Sequence, residues 1–504
     1  MENILEKRIA ILGGGASAVS ILYSLNKVID RSIDCKINID IYEPNEELGR
    51  GLAYVKDSKF IKLNRPPKDM SIDSQNDKHF YSWVKNNAKE FYEQSEFLPR
   101  NVYGKYLHET YIETTKSLSE KNYFVNHIKE KVQRIRQIND ELYEVQSNKK
   151  RGEIYNYIVL AIGGTTNKDP YYLNDNSNYI NEPYPLVEKL EFIKSDDKVG
   201  IIGSGLTAID VFLYLKKQKD FKQYTMLSRS GKLPSVRGID TKIELHYLKK
   251  ENINLSEIRM DKILALFLKE FEIRNISWRE VFLRKNDVEN YTTFSKKTLA
   301  AKKNNLWFDI LRETHPIIDK IWIHLSDKEK EYFVKKILPK YITRRAAIPL
   351  INAEEILESL NTKELNVVGG LQRIEHSKSK FKASFLNSKN QEYDVIINAT
   401  GLSNDISNDL IETMIKDNLI NVHIAGGIKV DFNTGSVISS GNKKNSNIKA
   451  IGHITSGNYF VTNNLEFIAN RSYVLAGDLV KLIENSSRID GKKPFLNIPT
   501  RNLV

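Results

Sequence analysis

Gly13, Gly14 and Gly15 crowd into the stretch RIAILGGGASA, residues 8–18. A short apolar, β-branched run precedes them, and helical spacing at Val19, Leu22 and Leu25 follows. This is the order strand, glycine turn, helix. Gly13 lets the chain turn sharply, Gly15 lets backbone approach a phosphate, and Ala18 lets the helix pack close to the strand. The unpaired N–H groups at the helix start, with Ser17 among them, suit anions. A second strand, KINIDIYEP, ends on Glu43. An acid there accepts hydrogen bonds from both hydroxyls of an adenosine ribose. Together these residues are expected to hold a dinucleotide.

The device recurs. KVGIIGSGLTAIDVFLYL, residues 198–215, again reads strand, glycine turn, helix. Gly203, Gly205 and Ala208 take the three small positions, and Ser204, Leu206 and Thr207 fill the turn. The strand that follows, QYTMLSRSG, ends on Ser228 and Arg229 rather than on an acid. An arginine at that place suits a 2′-phosphate, so the second site is expected to prefer NADPH over NADH. The alternative for Arg229 is a plain surface charge.

Around these turns lie further candidates. Arg50, between Gly49 and Gly51, suits a loop passing over an anionic cofactor. Asn64 stands just before Pro66 and Pro67, which exclude a helix interior. Arg100 reads either as a phosphate or flavin contact or as a surface charge. Residues 119–165 are expected to form a small β-meander, whose last strand runs apolar to Ile162 and ends on Gly163 and Gly164. A buried strand meeting glycines at its C-terminal end marks a close approach of backbone to ligand. YDVIINATG repeats that pattern and ends on Thr400 and Gly401. IKAIGHITSGNYF supplies a glycine turn at Gly452, with Asn458 beyond it, before a long helix.

A chain of 504 residues suffices for two or three domains. The expected fold class is α/β, with two Rossmann-like dinucleotide-binding domains and a helical insertion. The first domain takes residues 1–170 and returns over 393–504. The second takes 196–239 and 343–392. Residues 166–195, rich in Asn, Asp, Tyr and Pro, read as a linker or irregular loop. Residues 240–342 are Lys/Glu-rich with helical spacing and read as an insertion that covers or narrows the cleft. After it, Arg344 and Arg345 read first as a solvated basic pair, and second as contacts to a cofactor phosphate or an acidic substrate.

Composition narrows the function. The net charge is +12, but Lys and Glu alternate through 240–340 and no arginine-rich arm appears, so a basic solvated surface is expected rather than a nucleic-acid site. No run of about 18 apolar residues exists, so no membrane span is expected. MENILEKR enters the first strand without an apolar signal region, which points to a cytoplasmic protein. Cys35 is the only cysteine. A dithiol reductase mechanism is therefore excluded. No His/Cys set has metal-ligand spacing, and no Ser/His/Asp set stands out.

Taken together, ILGGGASA with IYEP, LGRGLAY, KLNRPPKDMSI, FLPRNVYGKYL, VLAIGG, IIGSGLTAID with LSRSGKLP, INATG and IGHITSGNYF resemble the FAD/NAD(P)-binding protein family. That family is related to class B flavin monooxygenases of the flavin-containing and N-hydroxylating types. The resemblance implies FAD at Gly13, Gly14, Gly15, Ala18 and Glu43, and NADPH at Gly203, Gly205, Ala208 and Arg229. It implies that Asn64 sits beside flavin and nicotinamide as the catalytic side chain. It also implies oxygenation, N-hydroxylation ahead of Baeyer–Villiger chemistry, of a small soluble substrate through a flavin C4a-hydroperoxide. The Baeyer–Villiger fingerprint FxGxxxHxxxW is missing before the second glycine motif. Two other readings remain: an NAD(P)H oxidase or reductase passing electrons to oxygen or a quinone, and a non-catalytic flavin-binding sensor.

Overall fold

Ile9, Ala10, Ile11 and Leu12 are sealed from solvent, as a strand covered on both faces requires. They belong to strand Leu5–Leu12, which pairs in parallel with Cys35–Tyr42 on one side and Tyr157–Leu160 on the other. The computed structural model describes residues 5–29, 35–149, 152–163, 167–219, 223–239, 241–282, 288–303, 305–401, 408–460, 462 and 464–490. Gly164 lies outside them. Among the described residues the first sheet has six strands. Tyr123–Ile128 extends it beyond Cys35–Tyr42, and Lys444–Ala450 extends it beyond Tyr157–Leu160, both in parallel. Ser436–Ile438 closes that edge antiparallel. Helices Ala16–Val28 and Leu465–Asp490 pack against each other over this sheet.

The second sheet follows the same plan. Val199–Ile202 lies between Tyr224–Leu227 and Val395–Asn398, with Leu365–Val368 outside the former. All of these pairs are parallel. In both units a three-stranded antiparallel sheet sits ahead of the last central strand: residues 132–155 in the first and 371–393 in the second. Both units are Rossmann-like, and the chain is α/β.

Two expectations need correction. The β-meander over 119–165 holds only for its middle. Tyr123–Ile128 and Tyr157–Leu160 instead join the parallel sheet. Tyr157–Leu160 is buried throughout, the mark of a central strand, while Tyr123–Ile128 is half-exposed at an edge and so alternates like a hairpin strand. The stretch 166–195 is not merely a linker. Tyr179 and Ile180 form a short edge strand parallel to Val395–Asn398, and Leu186, Leu190 and Ile193 are buried in the second core. Turn-forming neighbours hid a strand of two residues.

The stretch 240–342 is helical. Its described elements include Met260–Glu272, Tyr291–Lys303, Leu306–Glu313, His315–His324 and Asp327–Tyr332, followed by Leu338–Arg345. It has apolar clusters of its own, centred on Phe271, Ile310 and Ile321. No helix of the described residues is long and apolar enough to cross a membrane.

Candidate active site

Gly13 adopts φ +100°, where L side chains are strained. A Cβ there would stand 2.6 Å from the Ala161 carbonyl oxygen, so the turn presses on the neighbouring strand end. The Gly13 N–H donates to the Tyr42 carbonyl at 3.0 Å. The Gly14 N–H donates to Glu43 Oε2 at 3.0 Å, and the other oxygen of Glu43 accepts from the Asn45 side chain at 2.7 Å. Glu43 is thus drawn over the turn. Gly15 caps helix Ala16–Val28 without a side-chain hydrogen bond. The nearest atom to a Cβ on Gly15 would be Gly51 Cα, at 3.5 Å. Two glycines therefore meet beside the helix start, whose N–H groups suit a phosphate. Ala18 is buried, and Ser17 Oγ comes within 3.3 Å of a Cβ placed on Gly452. Arg50 is held by Glu47, which it shares with Lys56, and packs on Gly104.

The second turn reproduces the first. Gly203 has φ +110°, and its Cβ would stand 2.6 Å from the Ala399 carbonyl oxygen. Its N–H donates to Leu227 O at 2.7 Å. Where the first turn has Gly14 against Glu43, the second has Ser204 against Ser228, their hydroxyls 3.2 Å apart. Ser228 Oγ also accepts from the Gly231 N–H at 2.9 Å. A Cβ on Gly205 would meet nothing within 4 Å, and the same is true of Gly163 and Gly401 at the strand ends. Leu206 and Thr207 open helix Leu206–Lys219. Arg229 is exposed, its carbonyl accepting from the Gly370 N–H at 3.1 Å while its guanidinium stands toward solvent. Thr400 donates its hydroxyl to Asn398 Oδ1 at 2.7 Å.

Between the two units and the insertion lies a cavity of about 560 Å³. Asn64 and Arg65 come from the first unit, Leu206 from the second, and Phe308, His315, Trp322, Tyr341 and Arg345 from or next to the insertion. His453, Phe460 and Asn464 come from the C-terminal return. The side chain of Asn64 is half-buried, while its carbonyl is fixed by Arg237 at 2.9 Å. Arg237 is also paired with Asp69 at 3.2 Å. Burial, reinforced by Arg345 and Arg65, pushes His315 down to about 4, so its ring is neutral at physiological pH. Trp322 Nε1 donates to the Gly457 carbonyl at 2.9 Å and its ring packs edge-on against Phe460. These two contacts fasten the insertion to the C-terminal return.

Two residues expected at the cofactors have side chains engaged by protein partners. Arg100 pairs with Asp210 at 2.6 Å and donates to the Lys62 carbonyl at 3.1 Å. It ties helix Arg100–Ser119 of the first unit to helix Leu206–Lys219 of the second. Asn458 donates to Ile428 O at 2.6 Å and accepts from the Val430 N–H at 3.0 Å. Its amide is consumed by backbone, which a motif string does not reveal. Conversely, Arg237, His315 and Phe460 were not singled out from sequence. They stand far apart in the chain, and only tertiary packing brings them together. Arg345 was read first as solvated, yet it lines the cavity.

The family model described as FAD-NAD(P)-binding matches residues 10–165. That segment spans the first glycine turn, the Glu43 strand and Gly163 at the end of the last central strand. The chain is 22% identical to the uncharacterized protein YdhS of Escherichia coli (strain K12), over 78% of this chain and 83% of the relative. L-lysine 6-monooxygenase from Pseudomonas syringae shares the fold with a TM-score of 0.61 at 12% identity, over 94% of this chain and 99% of that one. The ornithine N-hydroxylase KtzI of Kutzneria sp. 744, solved with reduced FAD, NADP+ and L-ornithine, has a TM-score of 0.58 at 13% identity, over 95% and 99%.

Proposed function

We propose that this chain is an NADPH-dependent flavoprotein monooxygenase that oxygenates a small soluble molecule with molecular oxygen. FAD is assigned to the first glycine turn with Glu43, and NADPH to the second with Ser228 and Arg229. The single observation that carries the reading is the pair of matching glycine turns, one per unit, each with a positive-φ glycine pressed on a strand end, and one cavity bordered by residues of both units. FAD, when bound, supplies electron storage and oxygen activation.

The chain's own residues have three tasks. Gly15, Gly51 and the helix start orient one dinucleotide. Gly205, Thr207 and Arg229 orient the other. Asn64 presents an amide, donor and acceptor together, to the reacting ends, while Trp322, Phe333 and Phe460 keep water out. With its single thiol buried, the chain offers no disulfide as an electron acceptor. The similarity to lysine and ornithine hydroxylases supports this class of chemistry.

The test is NADPH oxidation by FAD-loaded protein across a panel of small molecules, with hydrogen peroxide counted alongside. Oxygenation predicts a compound that speeds NADPH consumption while peroxide per NADPH falls. If peroxide equals NADPH consumed for every compound, the protein is an oxidase. If NADPH is not consumed at all, it is a flavin-binding protein without turnover.

A further inference from the structure

Four arginines line the cavity: Arg65, Arg100, Arg237 and Arg345. Among the described residues no aspartate or glutamate lines it. Three of the four have acidic neighbours just outside. Arg100 has Asp210 at 2.6 Å, Arg237 has Asp69 at 3.2 Å, and Arg65 has Glu466 at 4.0 Å. Arg345 has none among the described residues, and its Nε is buried without a hydrogen-bond partner. The guanidinium lies over the Phe308 ring, 5.3 Å from its centre. Burial lowers its pKa, and Arg65, Arg237 and Arg312 add repulsion. An unmatched guanidinium with its Nε buried is costly, and an incoming anion lowers the cost.

The surroundings define the rest of that anion. Arg345 ends helix Leu338–Arg345, and Tyr341, one turn earlier, points the same way. The Tyr341 ring meets Phe460 at 5.2 Å, and Phe460 meets Phe333 at 5.4 Å and Trp322 at 5.5 Å. A planar fork of donors next to an aromatic box fits a carboxylate carried on an apolar ring or branched body. An alkylammonium of the lysine type would enter among arginines with no lining acid to meet it.

We propose that Arg345 receives the carboxylate of an anionic, apolar-bodied substrate, whose body rests on Phe308, Tyr341 and Phe460. This assignment rests on the monooxygenase reading above, since it names that site's substrate class.

The experiment is calorimetric titration of FAD-loaded protein with benzoate and with benzylamine, its cationic counterpart of similar shape. Benzoate is expected to bind saturably and benzylamine not. Arg345→Met is expected to weaken benzoate about tenfold or more, and Arg345→Lys by less, since it keeps charge but loses the fork. FAD content and NADP+ affinity should stay within about twofold of the parent. If Arg345→Met does not fold, Arg345→Lys carries the test through benzoate affinity alone. The proposal fails if benzoate does not bind up to millimolar concentration, if benzylamine binds more tightly, or if the Arg345 variants bind benzoate as the parent does. It also fails if NADP+ and benzoate exclude each other and Arg345→Met weakens both equally, because the guanidinium then serves the dinucleotide. Should the protein prove unable to hold FAD, the flavoprotein reading falls. Arg345-dependent benzoate binding to the flavin-free chain would then sustain the anion site by itself, and its absence would overturn that site too.

Discussion

Gly203 and Gly205 stand two positions apart and answer to different demands. Gly203 is required by the protein itself, through its positive φ and the Ala399 carbonyl 2.6 Å from a would-be Cβ. Gly205 → Ala would touch no protein atom within 4 Å. Gly203→Ala is therefore expected to destabilise the fold by roughly 1–3 kcal/mol. Gly205→Ala should leave the melting temperature in place and weaken NADPH instead. Thermal denaturation beside NADPH titration separates the two, and an equal loss of stability in both would contradict the cradle. Arg229 supplies the companion prediction. Arg229→Ala should weaken NADPH about tenfold, the worth of one charge-assisted contact, and NADH little. Equal effects on both nucleotides would remove the 2′-phosphate assignment. The glycines were readable in the sequence because a positive φ and a turn between strand and helix are local demands, whereas the Ala399 carbonyl that presses on Gly203 was not. Asn458 and Arg100 were not, because their partners Ile428 and Asp210 lie elsewhere in it.

Among the elements, the two units follow one recipe, and the recipe explains where the insertion sits. In the first unit, the chain between the second strand (Cys35–Tyr42) and the edge strand (Tyr123–Ile128) ends in helix Arg100–Ser119. In the second, the equivalent connection ends in helix Leu350–Asn361 and contains the whole insertion. Both connections leave from the strand end beside the glycine turn, where extra chain can reach a ligand without disturbing the sheet. Trp322 is the fastening of that extra chain. Trp322→Ala should cost about 3–5 kcal/mol, through the lost ring packing and the unpaired Gly457 carbonyl. It should also raise peroxide released per NADPH, since water then reaches the cavity. Trp322→Phe keeps packing and loses the N–H, so its cost should fall near 1 kcal/mol. If peroxide release were unchanged in Trp322→Ala, the insertion would not be the water barrier. Helical periodicity made the insertion legible as helices. It said nothing of the face turned to the cavity, because periodicity reports burial and not what is buried against.

For the molecule as a whole, acid should be the weak side. Burial pushes both His315 and His423 down to about 4. His423 Nδ1 accepts from the Ala425 N–H at 3.1 Å, which requires that nitrogen unprotonated. In the unfolded chain both rings take up a proton near pH 6.5. Their contribution is therefore present above about pH 6.5 and is lost as pH falls toward 4. It is on the order of 3 kcal/mol for each ring. Urea midpoints measured from pH 7 down to pH 5 should fall, and His423→Gln should flatten that slope. A midpoint independent of pH across the range would show that neither ring is held neutral.

From its sequence alone the chain was committed to two dinucleotide-type turns, an α/β fold and a helical insertion. Those features depend on glycine sterics, strand-length apolar runs and helical spacing, all of which act between residues close together in the chain. The tertiary structure decided which strands share a sheet, since one pattern of alternation suits parallel and antiparallel edges alike. It also decided which charges are spent. Arg100, Arg237 and Arg65 find acids, and Arg345 faces the cavity without one, because charge balance in a buried space is set by neighbours that only folding assembles.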